Sequence, residues 1–106
     1  MVLLCAATEF EIEPTLAFLR QNTNECRKVE VLVTGVGLMA ATYQLTKYIN
    51  KTKPQFVLQA GICGSLSSYL KPGDVVVVEN EIIGDSGVME KGNFHSLFDM
   101  GFIKKK

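Results

Sequence analysis

Apolar and polar positions follow two different spacings along this chain, and the switches between them mark its elements. Met1 to Ala7 is a short, continuously apolar run, the pattern of a strand buried on both faces of a sheet. Ile12, Leu16 and Leu19 then recur at helical spacing and form one apolar stripe. Pro14 restricts where that helix begins, because proline sits without loss only in a first turn. Asn22 to Asn24 end it. Lys28 to Thr34 starts in alternation and finishes apolar, which predicts a second strand. Gly35-Val36-Gly37 turns the chain into a second helix, with Ala41, Leu45, Tyr48 and Ile49 on one face and Lys47, Asn50 and Lys51 on the other. Lys53-Pro54 closes it, and Phe56 to Ala60 reads as a third strand. Pro72-Gly73 is a turn, and Asp74 to Glu81, with four consecutive valines, reads as a fourth strand. From Gly84 onward the pattern weakens. Phe94, Leu97, Phe98 and Phe102 keep neither period for long, as in a packed loop or the opening of a further element.

The predicted order is β-α-β-α-β-β with short connections. Strands separated by helices give an α/β fold with a mostly parallel sheet flanked by helices. No internal repeat or linker interrupts it, so residues 1–106 are expected to form a single domain. At 106 residues that domain buries about two thirds of its unfolded surface, which leaves a thin margin of stability.

Charge narrows the function classes. Eleven basic residues balance eleven acidic ones, and a nucleic-acid binder would carry a basic stripe instead. The one basic run, Lys104 to Lys106, reads as a solvated tail. Cys5, Cys26 and Cys63 form no Cys-x-x-Cys pair, which argues against a disulfide framework or structural zinc and fits a reducing cytoplasm. Met1 to Leu4 lacks the basic flank of a signal peptide, and no apolar run approaches the roughly 20 residues that span a bilayer. No metal, cofactor, nucleic acid or membrane is expected.

Ligands of open α/β sheets bind at the carboxyl ends of the strands. Three segments qualify: Thr8 to Glu11, Thr34 to Gly37, and Gly61 to Ser65. Gly35-Val-Gly37-Leu-Met-Ala40 matches the dinucleotide fingerprint, but no Asp or Glu occurs from Val31 to Gly73 to hold a ribose. Gly35 and Gly37 serve a plain strand-to-helix turn equally well. Arg20 and Arg27 are the only arginine forks for a phosphate, and both lie near the far end of the first helix. That favours water over phosphate as a nucleophile. Glu9 and Glu11 lie at a strand's carboxyl end, where a carboxylate has the chemistry to align and deprotonate such a water. Thr8-x-x-Glu11 is equally a capping box, with the same glutamate satisfying a backbone N–H. His95 reads as an exposed loop residue, Cys63 as packing, and Asp74 as closing a turn.

Four ordered motifs carry a resemblance across nearly the whole chain. They are Ala6-Ala-Thr-Glu-Phe-Glu11, Thr34-Gly-Val-Gly37 with Ala40-Ala41, Gln59-Ala-Gly-Ile-Cys-Gly64, and Leu70-Lys-Pro-Gly-Asp-Val-Val-Val77. Together they resemble the nucleoside phosphorylase and nucleosidase superfamily, and within it most closely the futalosine hydrolase family. Gly61-Ile62, Asp85-Ser-Gly-Val88 and Phe98-Asp-Met-Gly101 are similar to that family's pattern. The resemblance implies the first half of a nucleoside phosphorylase-like fold and hydrolysis of the N-glycosidic bond of futalosine to release hypoxanthine, a step of menaquinone synthesis. By the same resemblance Glu11 activates the attacking water, Thr8 lies near the ribose, and Ile62, Cys63 and Gly64 line the nucleoside.

Methylthioadenosine/adenosylhomocysteine nucleosidase is the neighbouring alternative, purine nucleoside phosphorylase a more distant one, and a non-catalytic nucleoside-binding module a third. The resemblance also implies a homo-oligomer, with loops near Val88 to Phe102 reaching a neighbouring subunit. Relatives of this type run to about twice the length and keep their ribose-holding glutamate and general acid in the second half. The 106-residue chain alone is therefore expected to be inactive, since leaving-group protonation is worth ~10²–10⁴ in rate.

Overall fold

The computed structural model describes residues 1–24, 26 and 28–104. Arg27 and the last two lysines of the C-terminal basic run lie outside the described residues. The chain divides into two compact units, Met1–Leu66 and Ser67–Lys106.

The first unit contains β1 (Val2–Ala6), α1 (Glu9–Gln21), β2 (Val29–Val33), α2 (Leu38–Thr52) and β3 (Phe56–Gln59). The three strands form one parallel sheet in the order β2-β1-β3. The fold is α/β, with a parallel sheet flanked by helices. Leu4 sits at the centre, opposite Val31 on one side and Leu58 on the other.

Alternation along the strands sends the two helices to opposite faces. Leu4 and Ala6 pack with Ile12, Leu16 and Leu19 of α1, joined by Val29, Val31 and Ala60. Leu3, Cys5 and Glu30 point to the other face. There the Tyr48 hydroxyl of α2 donates a hydrogen bond to the Glu30 carboxylate. The expected stripes on both helices face the sheet: Ile12 is buried, and Ala41, Leu45, Tyr48 and Ile49 are half-buried. β3 is an edge strand with exposed apolar side chains, Phe56 at 70% exposure among them.

The helix ends follow local chemistry. Thr8 caps α1, its hydroxyl accepting from the Glu11 N–H at 3.4 Å. That cap starts the helix at Glu9, earlier than proline placement predicts, and leaves Pro14 inside the second turn without an N–H for the usual bond. At the other end the backbone and side-chain N–H groups of Asn22 both donate to the Phe18 carbonyl. α2 ends at Lys53 in the left-handed region, its N–H donating to the Ile49 carbonyl.

The second unit departs from the sequence expectation. Asp74 to Glu81 forms no strand, and Val75 and Val77 are each 95% exposed. Strand propensity becomes a strand only when a ladder partner is present, and the described residues supply none. The predicted turn before it does form: the Asp74 carboxylate accepts from the Lys71 N–H at 2.8 Å. Instead, β4 (Gly87–Glu90) and β5 (Asn93–Ser96) make an antiparallel hairpin in the stretch where periodicity fails. Lys91 and Gly92 join them, both at positive φ, as a two-residue primed turn requires. His95 lies in β5 opposite Val88, so its place is a strand and not a loop, though it is exposed as expected.

Candidate active site

The carboxyl ends of β2, β1 and β3 bring the three candidate segments to one edge of the sheet. β1 is clamped there from both sides. The Thr34 N–H and hydroxyl reach the Ala6 carbonyl at 2.9 and 3.2 Å, and the Ala60 N–H donates to the Cys5 carbonyl at 2.8 Å. Thr34 is the one buried polar side chain among the described residues of this unit, and its hydroxyl also lies 3.1 Å from the Gly35 carbonyl. The Cys5 thiol contacts the Leu58 carbonyl at 3.5 Å, and burial pushes its pKa up.

Glu11 occupies the first turn of α1, directly beyond this clamp, and is half-buried. Its Oε2 lies 3.5 Å from the point that a β-carbon on Gly61 would occupy. The carboxylate therefore stands against the bare backbone of the loop leaving β3. Only one half of a capping box forms: Thr8 accepts from the Glu11 N–H, and among the described residues no donor reaches the Glu11 carboxylate. Glu9, the neighbouring acid, is exposed.

The remaining candidates sit on the same edge. Gly35 and Gly37 hold φ values of +83° and +93° in the turn between β2 and α2. Gly37 is the N-cap of α2 and supplies no side-chain cap, which leaves the first N–H groups of that helix open. Ile62, Cys63 and Gly64 continue from Gly61 in an exposed loop. Cys63 is a free, exposed thiol, which corrects its reading as packing. Small cysteines are usually buried, but this loop has no element above it in its unit.

Gly61 opens the third of the segments expected at the strand ends, and the structure sets it beside Glu11. Its signal was its place directly after a strand, and its meaning depended on β1 and β3 being neighbours. No cluster of metal-binding side chains occurs among the described residues. No helix among them is long and apolar enough to cross a membrane. A shallow hollow of about 710 Å³ lies along α2, lined by Leu38, Met39, Thr42, Tyr43, Thr46 and Lys47. It holds no carboxylate.

The chain is similar to a 5'-methylthioadenosine/S-adenosylhomocysteine nucleosidase of Buchnera aphidicola subsp. Schizaphis graminum (strain Sg), at 33% identity over 57 residues. The match covers 52% of this chain and 24% of that protein, about a quarter of the relative's length. No protein-family model matches the chain. No solved structure matches it either.

Proposed function

We propose that this chain forms the water-activating part of a nucleosidase, an N-glycosyl hydrolase acting on a small-molecule purine nucleoside. The observation that carries the reading is the Glu11 carboxylate, without a donor among the described residues and set against Gly61 at the carboxyl edge of a parallel sheet. In the reaction, a water oxygen bonds to the anomeric carbon of the ribose while the bond to the base nitrogen breaks. Glu11 takes the proton from that water, and the departing base takes a proton from a general acid. The transition state resembles an oxocarbenium ion, so the carboxylate both aligns the water and offsets positive charge. Thr8, Ile62, Cys63 and Gly64 are the nucleoside-facing positions, and Gly35 and Gly37 shape the adjoining turn. No residue described here is assigned as the general acid.

Two substrate classes are in view. Gly61-Ile62 and Asp85-Ser-Gly-Val88 favour futalosine. The similarity to a methylthioadenosine/adenosylhomocysteine nucleosidase supports those nucleosides equally. A cytoplasmic homo-oligomer belongs to the same reading. The test is a graft of this chain in place of the matching segment of that nucleosidase. Base release is then measured from futalosine, methylthioadenosine and adenosylhomocysteine. An active graft that loses ~10²–10⁴ in kcat on Glu11→Gln supports the reading. A folded but inactive graft, or one indifferent to Glu11→Gln, overturns it. Phosphate-dependent turnover to ribose 1-phosphate would make it a phosphorylase.

A further inference from the structure

We infer that Gly61 is a positioning residue for Glu11, and that its missing side chain reserves the space in which the attacking water sits. This rests on the nucleosidase reading. The reason for glycine at this position is not conformational. Gly35, Gly37, Gly73, Gly92 and Gly101 hold positive φ, whereas Gly61 does not, so its backbone is open to any residue. The reason is not a clash either. A β-carbon would meet Glu11 Oε2 at 3.5 Å, an ordinary contact. What a methyl group would do is fill the space beside that oxygen.

A water needs about 30 Å³ and must sit within roughly 2.6–3.2 Å of the base that deprotonates it. A methyl group in contact with Oε2 takes up a comparable volume on that flank. The separation between the two residues is fixed by packing rather than by a flexible loop. The Ala60 N–H is bonded to the Cys5 carbonyl at 2.8 Å, and Ala60 packs into the cluster that holds Ile12, next to Glu11 in sequence. Glu11 and Gly61 are therefore held at this spacing by the same small core. The carboxylate has no protein donor among the described residues, so its hydrogen-bonding capacity is not taken up by them.

The experiment compares Gly61→Ala, Glu11→Gln and the double variant Gly61→Ala/Glu11→Asp in the active graft. Each is measured for kcat, KM and melting temperature. Gly61→Ala is expected to keep its melting temperature and its KM while kcat falls ~10- to 100-fold, part of the contribution of a positioned base. Shortening the acid withdraws the carboxylate from the new methyl group, so the double variant is expected to recover part of the lost kcat. Gly61→Ala with unchanged kcat, or with the whole loss in KM, overturns this inference while Glu11→Gln remains inactive. Unchanged kcat in Glu11→Gln overturns the nucleosidase reading itself.

Discussion

Glu11 Oε2 and Gly61 meet across the ends of two neighbouring strands, close enough that a β-carbon on Gly61 would lie 3.5 Å from that oxygen. Glu11 leaves β1 by way of Thr8, and Gly61 leaves β3 by way of Ala60. Their proximity exists only because β1 and β3 are hydrogen-bonded partners. The same geometry separates the two roles open to Glu11, because the helix cap is made by its backbone N–H and the side chain is left over.

That separation is measurable. Thr8→Ala removes the cap and is expected to cost about 1 kcal/mol in urea unfolding. Glu11→Gln loses only attraction to the helix dipole, ~0.3–1 kcal/mol. With no return bond from the carboxylate, the two changes should add to within ~0.5 kcal/mol in a double-mutant cycle. Coupling well above that would mean that a reciprocal capping box exists in solution.

Both turn glycines should resist a side chain, for different reasons. Gly37 holds φ 93° and ψ 155°, a region essentially restricted to glycine, so Gly37→Ala is expected to cost roughly 1–3 kcal/mol by backbone strain although nothing lies within 4 Å of the new carbon. Gly35→Ala adds a β-carbon at φ 83° and 3.3 Å from the Ala40 β-carbon. Both variants should melt below the parent. An unchanged melting temperature in Gly37→Ala would mean that the turn re-forms at negative φ.

Gly87 carries a sharper constraint. A β-carbon there would collide with the His95 carbonyl oxygen and come within 2.6 Å of the Phe94 ring. The ring packs over the bare glycine of the facing strand, a known compensation for glycine in a sheet. Gly87→Ala is expected to abolish the β4–β5 ladder. Loss of the cross-strand NMR contacts between Val88 and His95 would confirm it, and their survival would refute it.

Thiol chemistry should follow exposure. Cys63 is expected to react with a maleimide first, and Cys5, buried with its pKa raised, only as the chain unfolds. The Tyr48 phenol is raised as well, chiefly because it donates to Glu30. Both raised groups act in the same direction. Each favours the folded state fully below its unfolded pKa, about 8.5 for a thiol and about 10 for a phenol, and stops doing so as pH rises through its folded value. Stability should therefore fall on the alkaline side, and less so in Cys5→Ala and Tyr48→Phe. A flat profile from pH 8 upward would contradict this.

The first unit was legible in the sequence because its signals were local and agreed with each other. An apolar run, a threonine cap, a stripe at Ile12, Leu16 and Leu19, and a Lys53-Pro54 stop each correspond to an element with nearly the expected bounds. Pro14 misled on the helix start, since one lost hydrogen bond was outweighed by the cap at Thr8. The valines of 75–78 misled for another reason: a strand is a relation between two segments, and one segment cannot report whether its partner exists. The hairpin stayed hidden because its evidence, a ring over Gly87 and a turn at Lys91-Gly92, is cross-strand rather than periodic. Glu11 was visible as a candidate acid. Gly61 was visible as the start of a candidate loop, but its contact with Glu11 rests on the strand order, which alternation of strands and helices leaves open.

The order β2-β1-β3 also gives the two sides of the site unequal footing. The strand that delivers the acid is bonded along both flanks, whereas the one that ends at Ala60 is bonded, among the described residues, along one flank only. Fraying of that outer strand would carry the loop away and leave the carboxylate where it stands. Amide exchange near Phe56 to Ala60 would then run ahead of that near Leu3 to Ala6. Any change in the spacing between Glu11 and Gly61 would then begin on the Gly61 side.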